Sequence, residues 1–158
     1  MKTNYALIFF VEILAFISIS FWAAAMEGST GGIFGQREIY GYSADYYIFL
    51  LTIPLFLLIP IVIKPEVKLF GTLLGGYLIG IALEDFFWFV VNPYYGIQKF
   101  NSHYAFWLTP WINLGFVEFP SFYIKYVLAG ILVLAILVYK SERITRLLNK
   151  FLRKLWLK

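Results

Sequence analysis

Two carboxylates, Glu84 and Asp85, stand side by side inside the apolar run 81–91, "IALEDFFWFVV". A third, Glu12, lies within another apolar run near the start of the chain. A charge near the bilayer centre costs roughly 2.5–3.5 kcal/mol on insertion scales. Side chains placed at that cost face other protein or a wet cavity, so these three are the first candidates for chemistry. The groups that can join them follow in sequence: Asn92, the single histidine His103, Glu118, and Lys125 at the opening of the last apolar run. Arg37 and Asp45 can approach from an earlier loop. Two carboxylates, an imidazole and a further carboxylate make a set of hard N/O ligands. Glu84, Asp85, His103 and Glu118 are therefore the expected ligands of a divalent metal. Glu84, Asp85 and His103 equally suit a general acid/base cluster in which one carboxyl holds a proton. The competing reading is structural, with Glu84 or Asp85 paired to Lys125 or Arg37 and His103 bonded to backbone.

The elements that must position these groups are set by composition. Of 158 residues, 61% are hydrophobic and 14% charged, with mean hydropathy +0.78. Soluble domains are about 45–50% apolar and about 25% charged, so lipid is the expected solvent for most of this surface. There is no cysteine, which removes disulfides, thiolate metal sites and cysteine nucleophiles. Four segments approach the roughly 20 residues needed to span: about 5–25, 47–64, 69–91 and 123–140. Ala23 and Ala25 have the spacing of a signal-peptidase site, but the apolar stretch before them is long and carries Glu12. The first segment is therefore expected to be retained.

With the N-terminus inside, the inner side carries ten of the thirteen Lys and Arg residues. Only Arg37, Lys99 and Lys125 fall outside. The positive-inside rule then gives an all-α integral membrane four-helix bundle, both termini cytoplasmic, in the cell membrane. Residues 1–140 form the spanning domain and 141–158 a cytoplasmic amphipathic basic tail. In that tail Ile144, Leu147, Leu148, Phe151 and Leu155 recur at helical spacing, which suits the anionic inner leaflet. The turn "KPEVK", 64–68, should make spans two and three a hairpin. Pro54 and Pro60 lie within span two and favour a bend. Residues 26–46 hold five glycines; 92–122 hold Pro93, Pro110 and Pro120 among many aromatic residues. That second loop is expected to fold back as a cap over the bundle, with short helical turns. Trp107 and Trp111 share a face if 104–109 is helical.

Depth and face refine the candidates. Glu84 lies 16 residues beyond Lys68, about 24 Å along a helix and so in the outer third of the core. Glu12 lies nearer the midplane, out of direct reach of the pair without tilt. Gly71–Gly75 and Gly76–Gly80 are both G-x-x-x-G spacings, which let a neighbouring backbone come close. The stripe Gly76, Gly80, Glu84 should therefore face protein, turning Glu84 inward. Asp85 is rotated from it by about 100°, so the two carboxylates need not share a ligand.

The run E-D-x-x-W-F-x-x-N-P-x-x-G at Glu84–Gly96, followed by His103, Trp107 and Trp111, resembles a group of small polytopic membrane proteins. In these the run closes a span and precedes an aromatic, histidine-bearing loop. The resemblance covers roughly residues 80–120 and implies no activity. No P-loop, nucleotide fingerprint, serine elbow or H-E-x-x-H motif is present, so no common enzyme class is indicated. Three readings remain. The first is an outer-leaflet polar site for a metal, a proton or a headgroup. The second is a non-catalytic subunit packed against other membrane chains or itself. The third is a small transporter or ion pathway through Glu12 and the acidic pair. Lipid is the expected partner in each, and nucleic acid in none.

Overall fold

The computed structural model describes residues 3–27, 38–39, 42–115 and 117–156, with side chains at 3–25, 52–106, 108–115, 117–147 and 150. Arg37, and the glycines between 28 and 35, lie outside the described residues, as do the side chains of Asp45 and Trp107. Five α-helices appear among the described residues: α1 (Tyr5–Glu27), α2 (Ala44–Ile63), α3 (Val67–Val91), α4 (Ser121–Val133) and α5 (Ser141–Trp156). A wide-turned π segment, Leu134–Tyr139, extends α4. A two-residue pair, β1 (Glu38–Ile39) and β2 (Tyr42–Ser43), precedes α2.

Three of these helices are long and apolar enough to cross a membrane: Tyr5–Ala25, Val67–Val91 and Ser121–Tyr139. The described apolar part of α2 is shorter, Thr52–Ile63. The bundle also differs from the expected four-helix packing. Helix α3 is the axis, with α1 along one side and α4 along another, while α2 touches α3 far less. Leu55, Phe56, Val62 and Ile63 of α2 are largely exposed. Exposure on this scale is expected where lipid is the solvent, because lipid tails give apolar side chains no drive to leave them.

The α1–α3 seam follows a fixed register. An added Cβ at Gly76 would overlap the Glu12 carboxylate, and one at Gly80 would overlap the Phe16 ring. Ala23 and Ala24 join Trp88 and Phe89 in one buried cluster further along. Contacts advance together on both helices, so α1 and α3 run parallel. The α3–α4 seam runs the other way. Leu137 lies on Gly71, Leu134 on Gly75, and Gly130 on Gly75 and Ile79. Each glycine pair thus serves a different neighbour, as adjacent faces of one helix must. Between helices without a hydrophobic drive, such close approach supplies the van der Waals contact that holds them.

The ends of α3 are tied differently. At its start the turn 64–66 clasps α1. Lys64 Nζ donates to Thr3 Oγ1 at 2.6 Å and pairs with Glu66 at 3.0 Å, and the Tyr5 hydroxyl donates to Glu66. The Tyr5 hydrogen bond, helped by Lys64, holds the Glu66 carboxyl below the usual carboxylate range. At its far end α3 stops at Asn92. The Asn92 Oδ1 accepts the Tyr94 and Tyr95 N–H groups at 2.9 and 3.3 Å, and its carbonyl accepts Gly96 N–H. Gly96 takes a left-handed φ of 68°, which favours glycine.

Beyond Asn92 the chain folds back over the bundle as expected, though not through helical turns alone. Single 3₁₀ turns form at Ile97–Lys99 and Phe106–Leu108. They are followed by an antiparallel hairpin of β3 (Trp111–Asn113) and β4 (Glu118–Pro120), with Asn113 opposite Glu118. Trp111 therefore sits on a strand, and 104–109 is not one continuous helix. Its indole N–H donates to the Ala105 carbonyl at 3.1 Å. Phe100 is the hub of the cap. Its ring lies 5.2–5.8 Å from those of Phe86, Phe89, Trp111 and Tyr123.

Candidate functional site

Glu84 is buried at 7% exposure on the α1-facing stripe of α3, as the glycine pattern requires. Asp85, the next residue, is half-buried. The antiparallel register of α4 brings Tyr123 to this level, and its phenol lies in the electrostatic field of both carboxylates. Ser20 of α1 is level with Glu84 in the parallel register; it is fully buried, with its hydroxyl donated to the Ile17 carbonyl at 2.6 Å.

Three further polar groups occupy this end of the bundle. Trp88 Nε1, Ser121 Oγ and Tyr123 Oη are all buried and have no hydrogen-bond partner among the described residues. Buried polar groups are normally paired, because desolvating one without compensation costs about 1–3 kcal/mol. Three donors without a partner among the described residues, on two adjoining helices at the end of the bundle that holds two carboxylates, therefore mark a place with unused hydrogen-bonding capacity. Phe100 stacks on Tyr123 and Tyr95 packs on Trp88, so aromatic rings of the cap roof it.

His103 and Glu118 do not join this group. His103 is exposed in the cap, its ring edge-on to Tyr104 at 4.9 Å. Its backbone N–H donates to Asn101 Oδ1. Glu118 is a clasp: Oε2 accepts the Ser102 N–H at 2.9 Å and Oε1 approaches Asn113 Nδ2 at 3.4 Å. Hydrogen bonds from Ser102, its backbone N–H first and then its hydroxyl, hold the Glu118 carboxyl below the usual range. Among the described residues no three His, Asp or Glu side chains gather in a way that could hold a metal. The set Glu84, Asp85, His103 and Glu118 is therefore not assembled: His103 stays exposed in the cap, and Glu118 holds the Ser102 amide. Lys125 is exposed and in no ion pair among the described residues; the pair that forms there is Lys64–Glu66. Asn92 proves to be a helix stop. The sequence reading missed Ser121, Tyr123 and the indole of Trp88. The signal was available for Tyr123, a polar ring two residues into a helix that must run antiparallel to α3.

Glu12 is a separate feature. It is buried at 6% exposure near the middle of the seam, and neither carboxylate oxygen has a partner among the described residues. Phe16 closes the next turn, seated on Gly80 and edge-on to Tyr77 at 5.8 Å. It stands between Glu12 and the level of Glu84. No family model, curated protein or solved structure matches this chain.

Proposed function

We propose that this chain is a four-span membrane protein, with both ends inside, whose outer end holds a capped site for the polar head of a lipid-soluble ligand. The parallel course of α1 and α3 supports the fourth crossing. Two parallel spans need a return between them, and α2 supplies 20 residues, about 30 Å of helix. The Lys and Arg distribution supports the orientation, and it makes α5 a helix on the inner leaflet beyond the spanning domain. The E-D-x-x-W-F-x-x-N-P-x-x-G run reads naturally in this frame. Its Asn and Gly build the stop and turn, while its acidic pair and Trp stay with the site.

The observation that carries the ligand reading is the trio of buried donors without a partner among the described residues, Trp88 Nε1, Ser121 Oγ and Tyr123 Oη, at the end of the bundle that holds Glu84 and Asp85. Donors and carboxylates together suit a head bearing both an acceptor oxygen and a hydroxyl or amine. Such a molecule enters from the outer leaflet beneath the aromatic cap. Lipid retention on purification, read by native mass spectrometry, tests this. Wild-type protein should carry a retained polar lipid, and Tyr123→Phe and Glu84→Gln should lose it while staying folded. Equal retention by all three, or none by the wild type, would defeat the reading.

A further inference from the structure

A groove of about 710 Å³ opens at the end of the bundle opposite the cap, between the starts of α1 and α3 and the π segment after α4. Lys68 and Asn4 line it, and Phe10 and Thr72 are its furthest lining residues along α1 and α3. The next contact up the same seam is Glu12 on Gly76. The groove's lining therefore ends one helical turn short of Gly76 on α3 and two residues short of Glu12 on α1. Above Glu12 the path is closed by Phe16 on Gly80.

We propose that Glu12 is a proton-binding site served from the inner face through this groove. The inference uses the orientation proposed above but neither the ligand nor the residues of the capped site. A carboxylate enclosed by apolar wall must be neutralised by a neighbour or by a bound cation. Among the described residues the neighbouring elements offer no cation free to do this. Lys68 of α3 lies over the Tyr5 ring, 4.7 Å from its centroid. Lys64 is held by Thr3 and Glu66. The π segment contributes one titratable group, Tyr139, which is 87% exposed. Tyr77 of α3 packs edge-on against Phe16. A metal cation would need several oxygens at once, whereas Glu12 brings two and has no hydrogen-bonding neighbour among the described residues. A proton needs only one. Gly76 leaves room for the carboxyl beside the backbone, and the groove approaches it from the side opposite Phe16.

Dicyclohexylcarbodiimide tests the site in the intact chain. The carboxyl proton passes to a carbodiimide nitrogen as the carboxylate oxygen adds to the central carbon, so only the protonated acid is labelled. Peptide mapping of wild-type protein in vesicles should place the label on Glu12, and Glu12→Gln should abolish it. Labelling should fall as pH rises, about tenfold per unit once the proton has left, and sodium should not slow it. A label found only on other carboxyls, or protection by sodium, would overturn the assignment. The chain has no cysteine, so Phe9→Cys supplies a single thiol in the groove. An impermeant thiosulfonate should modify it from the Lys68 side; reaction from the cap side, or from neither, would refute inner access. These readouts do not depend on lipid retention at the outer site.

Discussion

The cap and the bundle interior treat polar side chains in opposite ways. In the cap, Asn and Glu side chains are committed to backbone. Asn92 accepts two N–H groups, Asn101 accepts those of His103 and Tyr104, Asn113 accepts that of Gly115, and Glu118 accepts that of Ser102. In the bundle, Glu12, Trp88, Ser121 and Tyr123 are buried with polar atoms that no described residue satisfies. A chain that leaves a membrane span must pair the backbone groups its turns expose, and short Asn and Glu side chains do so cheaply. No such demand explains the interior groups, since helices already pair their own backbone. The cap's polar residues are architecture; the bundle's are capacity held in reserve.

The contrast is broken most directly by two substitutions one helix apart. Asn92 is 1% exposed, and Asn92→Ala strips the acceptor from two amides at the end of α3. A loss of about 1–3 kcal/mol is expected, visible as a lower thermal midpoint in detergent. Tyr123→Phe removes a hydroxyl that has no partner among the described residues, so stability should hold or rise slightly. If Tyr123→Phe proves as damaging as Asn92→Ala, the hydroxyl is structural and the contrast is wrong.

Acid should sharpen it more gently. The Glu118 carboxyl is held below its ordinary value by the Ser102 N–H and then by the Ser102 hydroxyl. A carboxyl depressed in the folded chain contributes stability above the unfolded value and loses it as pH falls through the folded one. The Ser102 amide should therefore lose hydrogen-exchange protection, after correction for intrinsic rate, as pH drops below roughly 4. Glu118→Gln should flatten that profile. A wild-type profile just as flat would mean that the clasp is not electrostatic.

How legible these regions were in the sequence follows the same division. Helix positions, the tight turn at 64–66 and the inward face of Glu84 were readable, because span length and glycine spacing are local patterns. That Gly71 and Gly75 serve α4 while Gly76 and Gly80 serve α1 was not readable, since the spacing is the same and only the assembled bundle distributes the faces. Placing Glu12 at a different depth from the acidic pair needed only residue counting. The hairpin at 111–120 was hidden because Pro110 and Pro120 punctuate a run whose aromatic residues suit interface and strand alike. Above all, His103 was singled out for being the only histidine, and rarity carries no information about position.

His103 accordingly gives the smallest effect and the cleanest control. Its ring is exposed and touches Tyr104 edge-on, and the hydrogen bond at this position is made by its backbone N–H, which any residue but proline supplies. His103→Ala should change stability by no more than about 0.5 kcal/mol, the low end for one aromatic pair. It should leave lipid retention and carbodiimide labelling as in the wild type. A histidine that closed over Glu84 and Asp85 would behave otherwise: its loss would expose the pair and lower retention along with stability. Measuring His103→Ala beside Tyr123→Phe therefore asks whether the outer site is completed by the cap or by α4, and the unpartnered hydroxyl on α4 favours the second.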